Sequence, residues 1–186
     1  MRWCATTDFM ARSVAPFFVD RRGLSAVEFA LLLPLMLTLY LGSVEVADGV
    51  AAGRKVAITA RTVADLASRM TTIRNADMTN ILNASSAVVA PYSVSKLKVT
   101  ISQVSIDVAG RATITWSDSL NGTAHSVGQS MSIPASLVVP NTSLILGEVQ
   151  YDYDPTFGYV LTGTLALKSQ IYMAPRVSST VTRVNS

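Results

Sequence analysis

Only one histidine, His125, and one cysteine, Cys4, occur in the 186 residues, so the side chains behind most acid–base and thiol chemistry are scarce. A Ser-His-Asp triad would need His125 beside a nucleophile elbow, and no Gly-x-Ser-x-Gly is present. His125 itself lies in the turn-like stretch SDSLNGTAHS and reads as an ordinary polar position. Asp152 and Asp154, with Asp118 brought near in space, offer the oxygen ligands that calcium takes. Their spacing lacks the full ligand set of an EF-hand, and the plainer reading is a strand end turning at Pro155. Trp116, Tyr151, Tyr153 and Tyr159 read as sheet packing rather than a ligand platform. Gly-rich phosphate loops and thiol-metal spacings are absent, so no cofactor is expected and the chain does not read as an enzyme. Cys4 cannot form an internal disulfide and lies outside any lipidation pattern.

The carboxylate that does stand out is Glu28. From Leu24 to Val44 it is the sole charge, in a run that would be roughly 31 Å long as a helix, close to a hydrocarbon thickness. A lone carboxylate in lipid costs several kcal/mol unless neutralised or paired, and the apolar run supplies no partner. Such a residue points to function; the plain alternative is a protonated Glu28 near the interface, reaching toward water. Arg21 and Arg22 sit directly before the run, whereas Glu45 and Asp48 come first after it. That asymmetry puts the N-terminus in the cytoplasm and the bulk of the chain outside. Pro34, mid-run, is tolerated in a membrane helix as a kink. A cleaved secretory signal fits poorly, because the best small-residue site, Val50-Ala51-Ala52, lies well past the apolar run and after two acids.

Composition agrees. Hydrophobic residues make up 49% and charged residues 15%, with a mean hydropathy of +0.38, short of the charged share of a soluble globule. The net charge is +3, of which residues 1–23 carry +2; the remainder has no basic run or aromatic-basic interleaving, so no nucleic-acid partner is indicated.

The stretch RRGLSAVEFALLLPLMLTLYLGSVEVADGVAAGRKVAITARTVADLASR resembles the TadE-like family of minor pseudopilins, whose N-terminus is similar to that of type IV pilins. Arg21, Arg22, Gly23, Glu28, Phe29, Pro34 and Glu45 occupy the places of that family's basic pair, glycine, AVEFAL run, proline and later glutamate. A weaker echo is YMAPR at residues 172–176. The resemblance implies that a prepilin peptidase of the inner membrane cuts between Gly23 and Leu24, glycine leaving the scissile carbonyl unobstructed. Leu24 would then begin the mature chain, and Glu28, its fifth residue, would pair with the new α-amine of a neighbouring subunit. The implied partners are that peptidase, other pilins or pseudopilins, pilus assembly proteins and membrane lipid. The implied location is the bacterial inner membrane, single-pass, with the C-terminal part periplasmic or within a pilus. Gly42 to Ala47 lacks the phenylalanine and arginine often found around the later glutamate. The competing reading is an uncleaved single-pass envelope protein with an extracytoplasmic binding domain.

Past the membrane, residues 46–74 carry a stripe of Val56, Thr59, Val63, Leu66, Met70 and Ile73 beside a second stripe of Ala57, Ala60, Ala64 and Ala67. These stripes predict a helix that packs on the following domain, on other subunits, or on both. Residues 96–108 and 111–117 alternate and predict a hairpin turning at Ala109-Gly110. Residues 135–154 and 159–173 predict two more strands, and Val177 to Ser186 a last strand or a frayed tail. The fold class is therefore α+β: a leader at 1–23, a transmembrane helix at 24–46 continuing as an extracytoplasmic helix at 47–80, then a small, mostly antiparallel β domain at 81–186.

Overall fold

In a computed structural model, residues 23–155, 158 and 163–185 are described. Arg21, Arg22, Cys4 and Tyr159 lie outside them. The chain divides into two compact units, Met1–Val44 and Glu45–Ser186. One helix, α1 (Leu24–Ser68), runs through both. After it come β1 (Thr72–Ile73), α2 (Asn75–Val89), β2 (Leu97–Ile106), β3 (Ala112–Leu120), β4 (Thr142–Tyr153), β5 (Leu165–Met173) and β6 (Thr182–Arg183). A long N-terminal helix followed by a small antiparallel sheet is the α+β class expected.

The helical reading overshoots at the end of α1. The chain leaves the helix at Ser68 rather than continuing to residue 74 or 80, and Asn75 opens a second helix. Two causes are visible. The backbone N–H of Arg176 donates to the Ser68 carbonyl at 2.8 Å, satisfying one of the carbonyls a helix end leaves over. Thr72 and Ile73, both β-branched, then pair in parallel with Thr182 and Arg183. Asp77 restarts the helix: its carboxylate accepts from the Arg74 N–H at 3.0 Å in the first turn, where negative charge suits the helix dipole.

The larger sheet has the order β3-β2-β4-β5 and is antiparallel throughout. Its first hairpin turns at the residues expected, because Asp107 Oδ1 accepts from the N–H groups of Ala109 (2.9 Å) and Arg111 (2.8 Å), while Gly110 takes a φ of +78°. The third strand is shorter than predicted: Ala135–Leu137 forms a single 3₁₀ turn, and β4 starts only after Pro140 and Asn141. Likewise Ser117 to Leu120 belong to β3, and the turn begins at Asn121.

Both faces of this sheet are used. On one, Ala52, Val56, Ala60, Val63, Ala64 and Ala67 of α1 pack with Leu97, Val99, Ile101, Trp116, Ile145, Val149, Tyr151 and Tyr153. The two predicted stripes thus merge into one buried face, from which Ala57 is left out. Gly147 on β4 explains why small residues are needed there. A Cβ on it would lie 2.8 Å from the Ala60 carbonyl oxygen and 3.0 Å from Ala64 Cβ, so helix and strand touch backbone to backbone. On the opposite face Val104, Ile106, Ala112, Ile114 and Leu146 are covered by Met131, Ile133 and Val138. A bulge between Gln103 and Val104 sits where the two clusters meet.

The C-terminal segment is a strap, not a frayed tail. The Trp116 indole N–H donates to the Val181 carbonyl at 2.8 Å, and the Val181 N–H donates to Gln103 Oε1 at 2.7 Å. Arg183 grips Asp118 through two nitrogens, at 2.9 and 3.2 Å.

Candidate functional site

Within the first unit every residue from Leu24 to Tyr40 is exposed, on all sides of the helix, with Leu31 at 74%. Each large aliphatic side chain left in water forfeits about 1.5–3 kcal/mol of burial free energy, so an aqueous exterior is the wrong medium for this stretch. The helix is long and apolar enough to cross a membrane. Its few polar groups are matched to that medium. Thr38 Oγ1 donates to the Leu35 carbonyl at 2.8 Å and Ser43 Oγ to the Tyr40 carbonyl at 2.7 Å, so neither hydroxyl needs an outside partner. Pro34 lies inside the helix and removes the bond that its N–H would have made to the Ala30 carbonyl.

Glu28 is exposed in this apolar stretch, and among the described residues it makes no ion pair. It stands one turn from Leu24, the first residue of α1. Four residues at helical rise separate their backbones by about 6 Å, so a positive group on the Leu24 nitrogen would come within reach of a carboxylate at position 28 on the same or an adjacent helix. Phe29 is likewise exposed. Gly23 precedes the helix, and a Cβ built there meets nothing within 4 Å among the described residues; neither space nor backbone φ demands a glycine.

The second unit begins at Glu45, and here the structure adds what the sequence did not disclose. Glu45 is only 1% exposed, and its Oε1 accepts from the Gly158 N–H at 2.6 Å. This charge-assisted bond ties the loop after β4 to the helix across 113 residues. Around it lie Asp48 and three tyrosines. Tyr92 donates to the Asp48 carbonyl at 3.4 Å, and its ring centroid lies 5.8 Å from that of Tyr151. Burial, then the nearby Asp48, raises the Tyr92 phenol above its ordinary pKa; burial followed by Asp48, Tyr92 and Glu45 does the same for Tyr153. Trp116, Tyr151 and Tyr153 are core residues.

The weak calcium candidates are occupied otherwise. Asp152 pairs with Lys98 at 2.8 Å and Asp154 with Lys96 at 2.7 Å, while Asp118 serves Arg183. The Lys98 bond, then that of Gln150, holds the Asp152 carboxyl below the usual range; the Lys96 bond, then that of Thr164, does so for Asp154. Among the described residues no three His, Cys, Asp or Glu side chains gather as metal ligands. His125 faces Glu148, Nε2 to Oε2 at 2.5 Å, and with Lys98, Thr100, Gln150, Lys168 and Gln170 it lines an open polar groove of about 390 Å³. The YMAPR echo also acquires a place: Arg176 meets Asp65 of α1 as an ion pair at 2.8 Å, and its N–H caps the helix.

Comparison with known families matches residues 23–69 to the family model described as TadE-like protein. The match starts at Gly23 and ends one residue past α1. Searches of curated proteins and of solved structures gave no match.

Proposed function

We propose that this chain is a minor pseudopilin of the TadE-like kind, anchored in the bacterial inner membrane and cut after Gly23 by a prepilin peptidase. The observation that carries the reading is the family match over residues 23–69. It covers a glycine with no steric role of its own, an apolar helix exposed on every side, and a single carboxylate one turn from the helix start. Cleavage would create the positive group that Glu28 needs, an α-ammonium on Leu24. A free ammonium at a helix N-terminus opposes the helix dipole, so pairing with a Glu28 carboxylate relieves two unfavourable charges at once. If that carboxylate belongs to an adjacent subunit, the pair also sets the axial register of neighbouring helices. Arg21 and Arg22 keep the leader in the cytoplasm, and the second unit is held in the periplasm or along a pilus. In this reading the protein acts by position rather than by catalysis.

The test separates processing from assembly. Glu28→Ala is expected to be processed to the same gel position as the wild type while pilus assembly fails. Normal piliation in that variant would contradict the pairing role. Gly23→Val is expected to leave the band unshifted.

A further inference from the structure

The two edges of the four-stranded sheet are treated differently by the chain. From Ala112 to Ile114 the β3 edge is closed by the segment that follows it. The Ile114 N–H donates to the Gln129 carbonyl, the Gly128 N–H to the Ile114 carbonyl and the Met131 N–H to the Ala112 carbonyl, all within 3.0 Å, and Thr113 bridges Ser130. The β5 edge has no such cover: among the described residues no backbone hydrogen bond reaches β5 other than those of its ladder with β4. Nine residues without proline, bulge or glycine therefore offer a row of outward N–H and C=O groups, guarded by a single charge, Lys168. Its apolar side is unfinished as well. Leu167, Ile171 and Met173 are only partly buried against the core, and Leu165 is 44% exposed. On the other side the one charge is Lys168, which makes no ion pair among the described residues, since Asp152 is held by Lys98.

We propose that the β5 edge is a docking edge for an extended strand of a different chain, one with apolar residues at alternate positions and a carboxylate placed opposite Lys168. A backbone ladder dictates an extended partner, because only a strand can satisfy the row of amides. The apolar row dictates the alternation, which would lengthen the layer under Leu167, Ile171 and Met173. Lys168 selects the charge, because an opposite charge directly across a ladder stabilises it and a like charge opposes it. A second copy is the poorer occupant. Two β5 strands set antiparallel about Ser169 would place Lys168 opposite Gln170 in both directions, and β5 holds no carboxylate for either lysine. The proposal requires no particular state of the N-terminus.

The experiment uses the full chain in detergent micelles and a synthetic nine-residue peptide alternating valine and threonine with one central glutamate. A matched peptide carries lysine in place of that glutamate. Binding is followed by fluorescence anisotropy and by amide hydrogen exchange. The glutamate peptide is expected to bind about fivefold more tightly than the lysine peptide and to protect amides of residues 165–173. Lys168→Glu, an exposed substitution, is expected to reverse that preference, with an unchanged circular dichroism spectrum as the check on folding. Equal binding of both peptides, protection located elsewhere, or no binding would overturn the proposal. So would concentration-dependent self-association that protects the same amides, since it would make a second copy the occupant.

Discussion

One helix carries two kinds of surface. From Leu24 to Tyr40 α1 is exposed on every face, yet from Ala52 to Ala67 it buries a stripe of alanine and valine against a sheet. The backbone geometry does not distinguish the halves; the side chains do. The first half is rich in leucine all the way round, which suits a medium that is apolar on all sides. The second half alternates small apolar residues with Arg54, Arg61, Asp65 and Arg69, which suits a sheet on one side and water on the other. The lesson is that a single helical propensity can run unbroken between two solvents, provided that the distribution of apolar residues around the axis changes at the boundary. Glu45, where the second unit starts, marks that change by being buried in protein rather than in lipid or water.

A charge in the first half gives the largest effect. Leu37→Arg is expected to raise the cost of membrane insertion by about 3 kcal/mol, more than a hundredfold in the inserted fraction, as read by carbonate extraction of membranes. The thermal melt of the second unit should not move. A side chain added in the second half should do the reverse. Gly147→Val brings a Cβ to 2.8 Å from the Ala60 carbonyl oxygen, closer than side chains are found, and tightly against Ala64 Cβ at 3.0 Å, so a loss of about 2 kcal/mol is expected. By calorimetry this corresponds to a fall in Tm of about 8 °C, with membrane retention unchanged. An equal response of both variants in both assays would show that the halves are not independent.

The smallest effect concerns the tyrosines beside Glu45 and Asp48. Their folded-state pKa values are raised, so the stability linked to them is complete below the unfolded value of about 10 and is lost as pH climbs through the folded values. Absorbance at the phenolate band is expected to show Tyr92 and Tyr153, together with Tyr172 on β5, which burial and Glu148 also raise, titrating late while the melting temperature declines over the same interval. In Asp48→Asn one raising charge is removed, and Tyr92 and Tyr153 should titrate earlier while Tyr172 stays in place.

The apolar half of α1 was legible because it relies on composition alone: a run of leucines is visible without any tertiary contact. The sheet was legible in outline for a similar reason, since alternation in β2 and the Asp107–Gly110 turn are local. What escaped was set by distant partners. The end of α1 depends on Arg176, more than a hundred residues away, and on a two-residue parallel pairing with β6, neither of which leaves a periodic trace. Glu45 read as a flanking charge because nothing near it in sequence announces the Gly158 N–H. Asp152 and Asp154 read as ligand candidates by type, whereas the lysines that occupy them, Lys96 just before β2 and Lys98 within it, come from the strand paired with β4.

The most direct measurement is the intact mass of the protein extracted from membranes of cells that contain a prepilin peptidase. A chain whose first residue is Leu24 is the predicted result. A chain that retains Met1 and the leader would contradict cleavage after Gly23, and with it the partner assigned to Glu28.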